Sequence, residues 1–251
     1  ATLAMVPLVL AFLPESIGWL ATRGGPNALA RINAILRRLG PPQAAQLIAL
    51  EEPKASMRSL FADRYRVVTI ALIVMYGLHM MTFYYALGWA PSLVVVLGFD
   101  PSRATIVSVF MNSGGAIGGL VLGLLSPRLG LRPLVIFGLA GAAVAVAAFG
   151  AVPPELVLLQ GAAFVLGFLS NGSVVGLYAL IANVYPTTLR ATGTGAVIGF
   201  GRFGAAFGPF AAGQLLAAGA GRGTTSLLLA LGSGIAALVL LASRIRPADE
   251  N

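Results

Sequence analysis

Cysteine is absent from the 251 residues, and histidine occurs once, at His79. The first absence removes disulfides, thiolate metal sites and cysteine nucleophiles; the second removes a histidine-rich metal centre. Charge is scarce too: charged residues make up 10% of the chain, against about 25% in a soluble domain. Apolar residues reach 58% and mean hydropathy is +0.91. That balance excludes a water-soluble globule, and it excludes disorder, which requires low hydrophobicity. The 32 glycines have no three-residue period, so a collagen helix is excluded as well. No P-loop-type glycine-rich phosphate loop or ligand cluster is present, so no metal, nucleotide or organic cofactor is indicated.

What remains is apolar and basic. Six long apolar segments cover about 67–97, 103–126, 134–152, 155–184, 192–217 and 225–242. A hydrocarbon core of about 30 Å needs roughly 20 residues of helix. Each segment is expected to be a transmembrane helix, because lipid offers backbone amides no partners and the strand-like alternation of a barrel is missing. The expected fold is an all-α membrane protein with a six-helix bundle at 67–243. Residues 1–16 read as the tail of a helix whose beginning lies outside the sequence. Residues 17–66 read as a linker, and 244–251 as a C-terminal tail. In the linker, Asn27 is a candidate N-cap, Leu29, Ile32, Leu36 and Leu39 follow at helical spacing, and Gly40–Pro41–Pro42 is the stop.

Net charge is +8. In a soluble protein that would suggest nucleic acid, but here the cations mark topology, and no nucleic-acid partner is expected. With the linker inside, its eight basic residues join Arg128, Arg132, Arg190, Arg244 and Arg246 on one side of the membrane. Only Arg103 and Arg222 fall opposite. The positive-inside rule then makes linker and C-terminus cytoplasmic in a multi-pass membrane protein. Small residues recur at steps of four: Gly115, Gly119 and Gly123; Gly172 and Gly176; Gly195 and Gly199; Gly204 and Gly208. Such stripes pack helices closely, and their density also suits helices that slide or rock.

All eight acidic residues fall in loops, termini or span ends. An intramembrane aspartyl protease is therefore not expected. A serine nucleophile at Gly232–Ser233–Gly234 would have only the sequence-distant His79 as its base, so no enzyme is expected. Arg202 is the sharpest signal: a guanidinium roughly 15 Å deep, with no acid in the spans to neutralise it. Its partner is a substrate anion, an acid in a missing half, or backbone carbonyls of a helix break near Gly199–Gly201. Asn112, Asn171 and His79 share that depth, with interhelical hydrogen bonding as the alternative to substrate contact. Tyr84 and Tyr85 follow His79, with Phe83 and Trp89, and one or two of these rings suit stacking on a flat substrate; an interfacial aromatic belt is the alternative. Tyr178 and Asn183 are weaker candidates.

Several motifs carry a resemblance. Leu13–Pro14–Glu15–Ser16, Trp89–Ala90–Pro91, and the run from Tyr185 through Arg190–Ala191–Thr192–Gly193–Thr194–Gly195 to Gly201–Arg202 and Pro209 are similar to a major facilitator superfamily transporter, most like its aromatic acid:proton symporter branch. The chain resembles the C-terminal half, helices seven to twelve, after the central cytoplasmic loop. The resemblance implies a secondary active transporter of a small organic anion, with protons as the coupling ion and a missing N-terminal six-helix half as partner within the lipid bilayer. Porters of sugars, other organic acids or drugs share parts of the pattern, and a truncated, non-transporting membrane module is a further alternative. The resemblance implies transport roles for Arg190 and Arg202. Gly123 through Arg132 is similar to a cytoplasmic gating motif that places Arg128 and Arg132 in a charge network. Pro127 stands where that motif has its Asp, and Glu15 is the substitute anion the sequence offers.

Overall fold

The computed structural model describes residues 17, 20–21, 27–40, 42–44, 46 and 57–243. The chain divides into two compact units, Ala1–Lys54 and Ala55–Asn251. In the first, α1 is Ala28–Leu39. Asn27 precedes it without a side-chain cap bond. Gly40 closes it with φ 92 and donates its N–H to the Leu36 carbonyl, a left-handed stop that glycine adopts without strain. Tails 1–16 and 244–251, including Glu15, lie outside the described residues.

The second unit is helical throughout: α2 Met57–Leu60, α3 Asp63–Val96, α4 Pro101–Leu129, α5 Leu131–Ala151, α6 Leu156–Val184, α7 Thr187–Gly201, α8 Phe203–Ala217 and α9 Arg222–Ala242. Among the described residues, α3, α4, α5, α6 and α9 are each long and apolar enough to cross a membrane. The fifth expected span is the exception. It is two half-helices, α7 and α8, separated by a turn at Arg202, and neither half alone has the length to cross.

The connections are short and carry turn residues: Gly98, Gly130 and Gly219 take positive φ, and Pro153–Pro154 separate α5 from α6. Short connections reverse direction at every step. The start of α3, the α4–α5 and α6–α7 turns, and the end of α9 therefore share one end of the bundle, here termed the basic end after Arg64, Arg66, Arg128, Arg132 and Arg190.

Glycine sets which helices touch. Added Cβ atoms at Gly114 and Gly118 of α4 would lie 2.1 Å from the Phe164 and Phe168 carbonyls of α6, and one at Gly167 of α6 would lie 1.9 Å from the Met111 carbonyl. The backbone contact therefore runs through Gly114 and Gly118, one position from the expected Gly115–Gly119–Gly123 stripe. Gly115 and Gly119 instead lie beneath the side chains of Asn171 and Val175, and Gly123 meets nothing. On α8, Gly204 and Gly208 lie against the Gly77 and Met81 carbonyls of α3, while Gly195 and Gly199 on α7 have open space.

The antiparallel pair α5/α9 is tied at both ends. Arg132, at the start of α5, donates to the Leu240 carbonyl at 3.0 Å and to that of Ser243, covering the open carbonyls of α9's last turn. At the other end, Arg222, the first residue of α9, donates to the carbonyl of Val152, the C-cap of α5, at 2.8 Å. Each helix thus supplies the cation that the other's negative terminus requires.

Candidate functional site

Arg202 sits midway along the α7–α8 path. Its N–H still reaches the Ile198 carbonyl at 3.1 Å, but its own carbonyl is taken by Ala205 N–H three residues on, at 3.0 Å. That tighter bond marks the break. Pro209, inside α8, leaves the Ala205 carbonyl just past the break without its helical donor. Gly201 lets the Tyr76 ring press against the chain at a point where a Cβ would come within 2.3 Å of it.

The Arg202 side chain is exposed on the surface of this bundle. Its guanidinium lies in the electrostatic field of Tyr84, Tyr76 and Tyr178, and within hydrogen-bonding reach of Tyr178. Tyr76 and Tyr178 share a hydroxyl–hydroxyl contact of 3.3 Å, with ring centroids 6.0 Å apart. Tyr84 is held edge-on by Phe83 at 5.4 Å. None of the described acidic residues lies within a span: Asp63 opens α3, and Asp100 and Glu155 precede α4 and α6. The break carbonyls of Gly199–Gly201 take no bond from the guanidinium. The titratable groups near this cation are Tyr84, Tyr76 and Tyr178, and no described carboxylate neutralises it.

Asn171 lies two turns from Tyr178 on α6, hence on the same face. It is half-buried, its amide Nδ2 only 2.7 Å from where a Gly115 Cβ would stand. It has no hydrogen-bond partner among the described residues. Asn112, one turn from Gly115 on α4, is exposed and donates to the Ser108 carbonyl of its own helix at 2.8 Å.

His79 and Tyr85 are not brought to this cluster. His79 is fully buried, with Nδ1 2.8 Å from Ser233 Oγ and Nε2 3.1 Å from the Ser170 carbonyl. A carbonyl only accepts, so Nε2 carries the proton and Nδ1 accepts from the Ser233 hydroxyl. The helix packing thus brings Ser233 and His79 together across 154 positions, although sequence separation suggested no such pair. Both ring nitrogens are satisfied in a dry core, which leaves the pair a structural hydrogen bond joining α3, α6 and α9. Tyr85 is buried too, its hydroxyl 2.6 Å from Ser226 Oγ. Trp89 donates to the Pro209 carbonyl at 3.2 Å, anchoring α3 on α8.

At the basic end, Arg128 is exposed and Arg190 is half-buried, with a buried Nε that has no partner. The guanidinium of Arg132 is committed to the carbonyls of α9. Tyr76 escaped the sequence reading. Its signal was available: it lies one heptad before Phe83 on the same helix face.

A groove of about 820 Å³ runs between α3 and α7/α8, walled by Val74, Gly77, Met81, Phe203, Phe207 and Phe210. Its walls carry no polar side chain, and they include Gly201 and Phe203, the two chain neighbours of Arg202.

Residues 72–251 match the family described as Major Facilitator Superfamily. The chain is 35% identical to a gallate transporter of Pseudomonas putida, covering 96% of this chain and 54% of the relative. It is 32% identical to a 3-(3-hydroxy-phenyl)propionate transporter of Escherichia coli (strain K12), covering 97% and 62%. A 4-hydroxybenzoate transporter of Acinetobacter baylyi is 29% identical, over 86% and 49%. The chain spans about half the length of the curated relatives it matches. Among solved structures, the proton:xylose symporter XylE bound to 6-bromo-6-deoxy-D-glucose superposes with a TM-score of 0.65 at 17% identity, over 96% of this chain and 53% of that one.

Proposed function

Because the chain belongs to the Major Facilitator Superfamily, we propose that it is one six-helix half of a secondary transporter that takes up aromatic carboxylates with protons. The carrying observation is Arg202: a mid-span guanidinium, exposed, near Tyr84, Tyr76 and Tyr178 and with no described carboxylate beside it. A cation left this way in a low-dielectric setting is stabilised by an incoming anion. Its planar fork suits a carboxylate's two oxygens. Tyr84 and Tyr178 flank the place a ring would occupy. The relatives named as gallate, hydroxyphenylpropionate and hydroxybenzoate transporters support the same substrate class.

The Arg202 face is completed by a second six-helix half, and the two halves alternate access around the substrate. Protons are carried on acids of that other half, since the described spans hold none. Linker and C-terminus lie in the cytoplasm of a bacterial inner membrane, on the strength of the charge bias. Arg190 and Arg128 act at the cytoplasmic gate. Arg132, committed to capping α9, holds the bundle together instead.

The test is Arg202→Lys in the full-length protein, which keeps the charge and removes the fork. Uptake of labelled 4-hydroxybenzoate should fall at least about tenfold at equal membrane abundance. Unchanged uptake of every carboxylate tested would overturn the assignment.

A further inference from the structure

We infer that Asn171 reads a hydroxyl on the substrate ring, so that the site selects hydroxylated aromatic carboxylates over unsubstituted ones. The inference rests on the reading of Arg202 as the carboxylate anchor. The unbonded amide is a separate observation, and the spacing takes Arg202 as one end.

Asn171 carries two donors and an acceptor in mid-span, half-buried and unpartnered among the described residues. Its polar atoms are neither enclosed by the bundle nor bonded to protein, so they are available to a ligand. The fold holds it in place. Gly115 gives the amide the space a Cβ would fill, at 2.7 Å from Nδ2. One turn along, Val175 lies over Gly119 in the same way, at 3.2 Å. The α4–α6 seam is therefore a shallow floor, polar at Asn171 and apolar at Val175, leading toward Tyr178.

The spacing fits an aromatic acid. Seven residues of helix separate Asn171 from Tyr178, about 10 Å along the axis at about 1.5 Å per residue. The guanidinium of Arg202 is at the Tyr178 end. A benzoate ring bearing a hydroxyl opposite its carboxylate, with a hydrogen bond of about 2.8 Å at each end, spans about 12 Å between the groups that hold it, a length of the same order. Val175 and Tyr84 then meet the ring's faces and edge, and Asn171 meets its far hydroxyl. Asn112 is the weaker candidate for that role, because its Nδ2 is already bonded to Ser108. Tyr85, Ser226, His79 and Ser233 have used their polar atoms on one another inside the bundle.

The experiment is competition for uptake in the full-length protein. Labelled 4-hydroxybenzoate is displaced by unlabelled 4-hydroxybenzoate or by benzoate, in the wild type and in Asn171→Leu, which keeps volume and removes the hydrogen bonds. The variant should require about tenfold more 4-hydroxybenzoate while benzoate stays within about twofold. The retained benzoate response shows that the variant is folded. Gly115→Ala, which keeps the amide and displaces it, should lose discrimination in the same direction. Equal shifts for both ligands, or none, would overturn the role of Asn171 and leave Arg202 as anchor. A wild type that responds to neither ligand would remove the anchor, and this inference with it.

Discussion

The α5/α9 pair and the α7–α8 path treat arginine in opposite ways. In the pair, Arg132 and Arg222 are consumed: each closes the carbonyl end of the opposite helix, and the two helices are pinned top and bottom. On the α7–α8 path the helix is cut in the middle, and Arg202 is presented at the cut, exposed, with tyrosines and no described carboxylate near it. One region uses cations to fix its shape. The other keeps a cation available. Helix termini are the cheapest place to satisfy a guanidinium in an apolar chain, because several carbonyls converge there. A guanidinium kept away from such termini is therefore informative.

The strongest way to break the comparison is to jam the α7–α8 path onto α3. Gly204→Val puts a Cβ 1.9 Å from the Gly77 carbonyl, and the backbones must part. We expect a loss of about 3 kcal/mol or more and little folded protein, read as detergent-resistant monodisperse material after membrane extraction. His79→Ala comes next. It opens a cavity and orphans Ser233, at a cost of about 3 kcal/mol in thermal stability. Uptake per folded molecule should stay near wild type; a selective loss of uptake would reinstate His79 as a working residue.

The clamp can be opened from either end. Arg132→Met and Arg222→Met should each cost about 1–2 kcal/mol. The two sites lie at opposite ends of the bundle, so the double variant should cost the sum within about 0.5 kcal/mol. Thermal unfolding of the three variants checks this, and a single variant as damaging as the double would show that one end carries the whole clamp. The smallest effect is expected at Gly199→Ala. Nothing lies within 4 Å of the added Cβ, and the helix gains up to about 1 kcal/mol from alanine. A clear loss of uptake there, with stability kept, would show that α7 must bend as well as break.

The spans were legible in the sequence because a chain with so little charge and so much apolar length has one way to satisfy its backbone in lipid. Arg202 was legible for the same reason: one cation stands out where none is expected. Three features were not. The glycine contact fell on Gly114 and Gly118 because glycines at 114, 115, 118 and 119 form two adjacent stripes with identical spacing, and only the facing helix α6 distinguishes them. The capping by Arg132 and Arg222 depends on α5 and α9 being neighbours, which no local pattern encodes. Tyr85 and Tyr84 are one position apart and point about 100° apart around α3, one bonded to Ser226 in the core and one half-buried near Arg202. The direction of a helix face within an all-apolar span is set by its neighbours, and hydropathy carries almost no record of it.

Equilibrium binding to the purified full-length protein tests the availability of Arg202 most directly, with benzoate compared against its neutral isostere benzamide in wild type and Arg202→Lys. The wild type is expected to prefer benzoate by about tenfold or more, and the lysine variant to lose most of this preference. A lysine variant that binds benzoate as tightly as wild type, with the preference over benzamide intact, would contradict it.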